Sequence, residues 1–144
     1  VYNNLISLGV NATLISIIGE DSFGKHIQKI LNKKSKDFYL FKEKNKPTTV
    51  KTRYSVKGQQ LIRVDEEKKQ KLSDLAYKFI LKRFKKEILK HDVVILSDYN
   101  KGFLTNDVIS KLCKMFKLAS MICLSPHKLL IIRNISMALF ENIR

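Results

Sequence analysis

The chain has 144 residues, the size of one domain, and its 28 Lys and Arg against 13 Asp and Glu give a net charge of +15. Its 2 cysteines, and the lack of paired CxxC or HxxxH motifs, exclude a disulfide-rich scaffold and a zinc site of that kind. Apolar runs are far shorter than the roughly 20 residues that cross a bilayer, and no basic segment precedes residues 1–10 as in a signal peptide. We therefore expect a single cytoplasmic domain over 1–144 that does not contact a membrane.

The first third of the chain has the pattern helix, strand, turn, helix. Residues 1–9 indicate a short helix, and 11–18 (NATLISII) form an apolar run typical of a buried strand. After a polar turn, apolar residues recur at helical spacing over 23–31. The apolar patch at 38–41 is a candidate for a further short strand.

Alternating side chains over 48–65 (TTVKTRYSVKGQQLIRVD) predict a β-ribbon with a tight turn at Lys57-Gly58. Side chains two residues apart on a strand share a face, so one face of this ribbon is polar and basic. Cations and amides on one face suit a phosphorylated, hydroxyl-rich ligand, and an ordinary solvated hairpin is the alternative. The candidate binding residues of the ribbon are Lys51, Arg53, Gln59, Gln60 and Arg63.

The second half of the chain alternates helices and strands. Residues 72–89 have the period of an amphipathic helix that Ser73 can cap, and 92–96 (DVVIL) is an apolar run typical of a parallel strand buried on both faces. Thr105 is predicted to cap a helix over 108–118, and 121–124 is another short strand. This order predicts an α/β fold with a parallel sheet.

Ligands of parallel α/β sheets bind beyond the carboxyl ends of the strands, which places the loops 19–21, 97–101 and 125–128 on one edge of the sheet, here called the rim. Asp98 can accept a hydrogen bond from a hydroxyl, and Lys101 can meet a phosphate as a point charge. A polar turn with a surface lysine is the alternative.

Three further rim residues are weaker candidates. Asp21 suits sugar hydroxyls or a hydrated Mg²⁺, but it suits the N-cap of the following helix at least as well. His127 and Lys128 are candidates because they follow a strand. We predict no metal site, no Gly-rich phosphate loop, and packing roles for both cysteines.

Three segments resemble sugar kinases of the ribokinase (PfkB) family: GEDSFGK (19–25), KPTTVKTRYSVKGQQLIRVD (46–65) and VVILSDYNKGFLT (93–105). Within that family they are most similar to heptose 7-phosphate kinases, which phosphorylate C1 of D-glycero-β-D-manno-heptose 7-phosphate with ATP and Mg²⁺ for ADP-heptose and lipopolysaccharide core synthesis. The resemblance covers residues 1 to about 128. It implies part of a Rossmann-like ribokinase sheet, a lid ribbon at about 48–65 that covers the sugar, and a substrate-facing turn at 97–102.

The sequence also departs from the family pattern. It opens after the GGAxN sugar-binding motif, has Ser125-Pro126-His127-Lys128 in place of DPKG, and contains no GAGD motif, which supplies the anion hole and the catalytic Asp. We therefore expect a truncated kinase domain that binds sugar phosphate, has no catalytic residue, binds ATP no better than other polyanions, and self-associates through an exposed sheet edge. Residues 129–144 receive no role.

The alternative function is a non-catalytic basic module for nucleic acid or another polyanion, with the ribbon as its contact face. Single-strand binders interleave aromatic side chains with cations, so that bases stack between phosphate contacts. The ribbon offers only Tyr54 for stacking, and the chain has no Trp. The sequence therefore favours the kinase resemblance over this alternative.

Overall fold

The computed structural model describes residues 1–34, 37–99, 101–115, 120–124, 129–133 and 136–140, the last three segments as backbone only. The helices are α1 (Tyr2–Ser7), α2 (Ser22–Lys34), α3 (Asp74–Glu87) and α4 (Asn106–Met115), and a 3₁₀ turn at Ile88–Lys90 follows α3. The strands are β1 (Leu14–Gly19), β2 (Phe38–Glu43), β3 (Val50–Val56), β4 (Gln59–Glu66), β5 (Val93–Ser97), β6 (Ser120–Leu124), β7 (Leu129–Arg133) and β8 (Ser136–Phe140). None of the helices in these ranges combines the length and apolar character of a membrane span.

The strands outside the ribbon form two sheets. β1 pairs in parallel with β2, and β5 pairs in parallel with β6, so the predicted α/β class is confirmed. The structure differs from the predicted parallel sheet in that β7 pairs with β6, and β8 pairs with β7, in antiparallel fashion. Parallel neighbours need a long crossover, which α2 and α4 supply, whereas the short connections before β7 and β8 permit only antiparallel pairing.

β3 and β4 form the predicted ribbon, separate from both sheets. Lys57 and Gly58 both have positive φ, at 48° and 81°, which is what a type I′ hairpin turn requires. The opposite face from the cations carries Tyr54, Ile62 and Val64, which all remain exposed. Such exposed apolar side chains are compatible with the expected self-association, which stays a prediction.

Helix α3 packs one side against the sheets. Its N-cap is Ser73, as predicted, and the Ser73 hydroxyl accepts a hydrogen bond from the Ala76 N–H at 3.2 Å. Ala76, Ile80 and Phe84, four residues apart, are all buried. Leu75 is among the apolar residues of the amphipathic period predicted over 72–89, but it is 70% exposed.

The main core lies where α3, β5 and α4 meet. Its buried members are Phe84, Leu96, Leu104, Val108 and Leu112. The predicted cap of α4 is present, since the Thr105 hydroxyl accepts from the Val108 N–H at 3.3 Å. The cap starts the helix at the position from which Val108 and Leu112 point inward. This core fixes the end of β5 and hence the turn that follows it.

Truncation of this core is expected to destabilise the chain. Leu112 is 2% exposed, so Leu112→Ala removes buried methyl groups and should lower the free energy of unfolding by about 2.5 kcal/mol. Leu75→Ala makes the same chemical change at an exposed position and should stay within about 0.5 kcal/mol of the parent. Urea unfolding followed by circular dichroism measures both, and equal midpoints would contradict the assignment of this core.

Candidate functional site

A dense hydrogen-bonded junction joins the end of β1 to the start of the ribbon. Asp21 Oδ1 accepts from the Gly24 N–H at 2.7 Å and from the Thr48 hydroxyl at 2.8 Å, and Oδ2 accepts from the Thr48 N–H at 2.7 Å. The Thr48 hydroxyl oxygen in turn accepts from the Gly19 N–H at 2.9 Å. Asp21 therefore caps α2 and anchors the segment that leads into β3, and any contact of Asp21 with a ligand stays a prediction.

The junction also favours the ionised form of Asp21. The Thr48 N–H has the largest effect in lowering the pKa of Asp21 below its ordinary value of 3.8. Burial opposes that shift, and hydrogen bonds from Gly24 and the Thr48 hydroxyl add to it. A carboxylate with these partners holds backbone in place.

One statement from the sequence needs correction at this loop. Residues 19–25 do have GxxxxGK spacing, although His26 stands where a phosphate loop has Ser or Thr. The Gly24 N–H is bonded to Asp21, so it is not available to a phosphate. The two glycines serve close packing instead, because a Cβ on Gly24 would collide with the Gly19 carbonyl oxygen. The spacing therefore reflects backbone packing.

The turn after β5 is held in place by two segments, the one that leads into β3 and the one that follows β4. Lys46, which precedes β3, donates from Nζ to the carbonyl oxygen of Lys101 at 2.7 Å. Burial lowers the pKa of the Lys46 ammonium, and the nearby Glu43 charge partly offsets this. Gly102 has φ +83°, and a Cβ there would collide with the Gln70 carbonyl oxygen, which follows β4. Thr48, in the same segment as Lys46, bonds Asp21, so the segment before β3 connects the loop after β1 with the turn after β5. The prediction placed these loops on one edge of a single sheet, whereas β1 and β5 belong to separate sheets, and its third loop, 125–128, lies outside the described residues.

The base of the ribbon carries a cluster of ion pairs, here called the rim cluster: Lys51, Arg63, Asp65, Glu67 and Lys101. Lys51 Nζ lies 3.0 Å from Asp65 Oδ2, and Arg63 Nε lies 3.0 Å from Asp65 Oδ1. Lys51 also lies 3.9 Å from Glu67, and Lys101 forms an ion pair with the same Glu67 carboxylate. The Lys51 hydrogen bond, before the other charges, lowers the pKa of Asp65.

The structure brings only some of the predicted site residues together. Lys51 and Lys101 share Glu67, and Arg53 and Arg63, a pair in the register, stand on the same face of the ribbon as Lys51. Gln60 pairs with Ser55, four residues beyond Lys51, which puts it about 13 Å away along the ribbon. Gln59 and Gln60, which the sequence offered as candidate binding residues, therefore lie beside the hairpin turn and away from Lys51.

The remaining predicted site residues differ in how much is described. Asp98 is half-buried and interacts with neighbouring groups, whereas Tyr99 beside it is 66% exposed. His127 and Lys128 lie outside the described residues. Within the described ranges, no group of three or more His, Cys, Asp or Glu could hold a metal ion. Burial raises the pKa of the Cys113 thiol, in keeping with its expected packing role.

Glu67 is the residue at this rim that sequence reasoning did not single out. The signal was present, because Asp65, Glu66 and Glu67 are three successive acids in a chain with 28 Lys and Arg. Its importance depends on a contact with Lys101, which is distant in sequence.

A polar pocket of about 410 Å³ lies at the opposite end of β1 and β2 from the rim. His91 lines this pocket. Its Nδ1 lies 2.8 Å from the Glu87 carbonyl oxygen, and its Nε2 lies 3.0 Å from the Thr13 hydroxyl. Burial raises the pKa of Glu87, but hydrogen bonds from Lys90 and Tyr39 outweigh it and leave the pKa lowered. These contacts tie the end of α3 to the loop before β1.

The fold is similar to that of a solved structure. A crystal structure from Thermotoga maritima, described as a possible 1-phosphofructokinase, superposes with a TM-score of 0.64 over 85% of this chain and 39% of that protein, at 16% identity. No protein-family model matches the chain. The fold is therefore that of part of a ribokinase-like kinase.

The sequence relatives are more specific. The chain is 42% identical over 108 residues to the bifunctional protein HldE of Nitratiruptor sp. and 40% identical over 123 residues to that of Helicobacter acinonychis. The HldE of Helicobacter pylori is 40% identical over 113 residues. The matches cover 75–82% of this chain but only 23–27% of those proteins, so the chain spans about a quarter of their length. The chain is a homologue of the HldE proteins, which confirms the family resemblance.

Proposed function

We propose that this chain binds a sugar phosphate at the rim, as part of a kinase that transfers phosphate from ATP to C1 of D-glycero-β-D-manno-heptose 7-phosphate. The observation that carries this proposal is the meeting of Lys51 and Lys101 at one carboxylate. The two lysines come from the KTR and SDY-KG motifs, which are far apart in sequence. Homology to HldE over three quarters of the chain supports the same class of substrate.

Each rim residue has a proposed role that its chemistry supports. Lys101 and Lys51 attract the phosphate as ammonium charges, and Arg53 offers a planar fork for two phosphate oxygens. Asp98 accepts from a sugar hydroxyl, while Arg63 contacts the ligand from the charged face of the ribbon. Gln59 and Gln60, which lie beside the hairpin turn, stay weaker candidates. Asp21, His127 and Lys128 stay weaker candidates.

The described residues do not fit ATP or Mg²⁺. In kinases of this family ATP and Mg²⁺ supply the phosphoryl group and balance its charge. Here the Gly24 N–H of the GxxxxGK loop is taken by Asp21, and the described part of the chain has no group of three metal-binding side chains. We therefore assign to these residues the sugar-phosphate side only, with no step of the transfer.

The nucleic-acid alternative has weaker support. Tyr54 lies on the opposite face of the ribbon from Lys51 and Arg53, because side chains alternate along β3. A nucleic acid would thus have to stack its bases on one face and bind its phosphates on the other. A sugar phosphate needs only the charged face.

Titration of the 144-residue chain with heptose 7-phosphate tests the proposal. We expect a dissociation constant in the millimolar range, about 4 kcal/mol of binding free energy. Lys101→Ala and Arg53→Ala should each weaken binding about tenfold, because each removes a charge-assisted contact. Lys57→Ala removes the same charge at the hairpin turn and should leave binding unchanged. NMR chemical-shift titration measures the dissociation constant of the parent and of the three variants.

Two results would contradict the proposal. If Lys57→Ala and Lys101→Ala weaken binding equally, attraction to the overall positive charge explains the binding. That result would favour the alternative function, a basic module for polyanions. An isotopic phosphoryl-transfer assay with ATP and Mg²⁺ should show no transfer by this chain. Transfer that Lys101→Ala abolishes would show that the chain holds catalytic groups that we do not assign.

A further inference from the structure

The lysines of the rim are bridged by a carboxylate of the same chain. Glu67 directly follows β4; one of its oxygens pairs with Lys101, and the other lies 3.9 Å from Lys51 Nζ. The Glu67, Lys101 and Lys51 side chains are only 26%, 33% and 39% exposed, so water screens them incompletely. A two-oxygen anion between two ammonium groups resembles a bound phosphate in its geometry.

This contact is supported by the backbone around it. The turn that carries Lys101 is bonded to Lys46 on one side, and Gly102 packs against the Gln70 carbonyl on the other. Gln70 and Glu67 belong to the same segment, which leaves β4 and runs towards α3. The segment is therefore held against the turn by packing as well as by charge. Glu67 is placed at Lys101 by the course of the chain.

Besides Glu67, Lys51 has a second carboxylate partner. Among the described ion pairs, Lys101 has no second one. Asp65 lies 3.0 Å from Lys51 and 3.0 Å from Arg63, so it stabilises the ribbon face whether or not Glu67 is engaged. Among the ion pairs of the described residues, Lys101 takes part only in the pair with Glu67, although its charge also acts on Asp65 at longer range. Movement of Glu67 would thus free the Lys101 ammonium while Lys51 stays anchored to the ribbon.

We propose that Glu67 is an internal counter-ion that occupies the phosphate position between Lys51 and Lys101, and that a phosphorylated ligand must displace it. This inference rests on the proposed sugar-phosphate site. A phosphate monoester carries nearly two charges at neutral pH, so it competes with a single carboxylate for the two ammonium groups. Glu67 thereby lowers the affinity of the rim for weaker anions and sets a requirement for a strongly charged ligand.

The experiment compares inorganic phosphate binding to the 144-residue chain and four variants: Glu67→Gln, Glu66→Gln, Lys101→Met, and Glu67→Gln combined with Lys101→Met. Glu67→Gln keeps the shape of the side chain but removes its charge, and we expect phosphate to bind about fivefold more tightly. Glu66→Gln is the matched control, because it removes the same charge at the adjacent residue. Glu66 lies opposite Val50 in the register, and it makes no described ion pair with either lysine. Its affinity should equal that of the parent. The gain from Glu67→Gln should vanish when it is combined with Lys101→Met.

The outcomes separate this inference from the proposed function. If phosphate binds the parent and Lys101→Met weakens it, but Glu67→Gln behaves like Glu66→Gln, the site stands and the counter-ion role is wrong. Weaker binding by Glu67→Gln would also overturn it, since Glu67 would then hold the lysines in place for the ligand. If no variant binds phosphate, or Lys101→Met has no effect, the site itself is wrong. Circular dichroism of each variant verifies that the fold is retained.

Discussion

Asp21→Ala is expected to lower the free energy of unfolding by about 4 kcal/mol. The substitution removes the acceptor for two backbone N–H groups and for the buried Thr48 hydroxyl, and hydrogen bonds to a charged acceptor are the stronger kind. Glu20→Gln is the matched control, because Glu20 is the adjacent, exposed carboxylate. It should unfold at nearly the parent's urea concentration. Equal loss in both variants would mean that the junction contributes little.

The same carboxylate predicts part of the pH dependence of stability. Because the pKa of Asp21 is lower in the folded chain than its ordinary value of 3.8, its contribution to stability is fully present well above that pH. It is lost as the pH falls below about 4 and the folded carboxylate becomes protonated. Asp21→Asn should therefore be less stable than the parent at pH 7 and lose less stability on acidification. Urea midpoints at pH 7 and pH 3.5 test this difference.

Gly24→Ala is expected to destabilise the chain by about 3 kcal/mol, although helix propensity alone favours Ala over Gly by about 1 kcal/mol. The added methyl group would collide with the Gly19 carbonyl oxygen, which is backbone and cannot rotate away. To remove this clash, α2 must move away from β1. Overpacking of this kind commonly destabilises a protein by more than the gain in helix propensity stabilises it. Stability from thermal unfolding should thus fall.

Asn32→Ala is the control for this prediction, since Asn32 lies on the exposed side of the same helix. It should be neutral or slightly stabilising, because Ala is the better helix former. A stabilising Gly24→Ala would show that β1 and α2 are farther apart than the structure has them.

Local patterns were sufficient to predict most of the elements. The ribbon follows from strict alternation around Lys57-Gly58, and the caps at Ser73 and Thr105 follow from a hydroxyl side chain before an apolar helical period. These signals are local because hydrogen bonds within a turn or a cap involve residues only a few positions apart. The GEDSFGK, KTR-RVD and SDY-KG motifs were likewise enough to indicate the family that the homologues confirm.

Exposure was less predictable than periodicity. Phe23 and Ile30 have helical spacing with the buried Leu31, yet they are 50% and 38% exposed, while Gly24 is buried in their place. A hydrophobic period shows which residues share a side of a helix. It does not show where along that side a neighbouring strand comes closest, which here is at Gly24 beside the end of β1.

The amino-acid order thus specifies the α/β class, the β-ribbon, the caps and the motifs of the rim, because each depends on residues that are close in sequence. The arrangement of charges at the rim depends on the folded chain. Glu67 and Lys101 meet because the segment after β4 crosses the turn after β5, and Gln60 lies far from them because the hairpin is long. Ion pairing falls off over a few ångströms, so only the three-dimensional path of the backbone decides which of 28 basic side chains has which carboxylate as its partner.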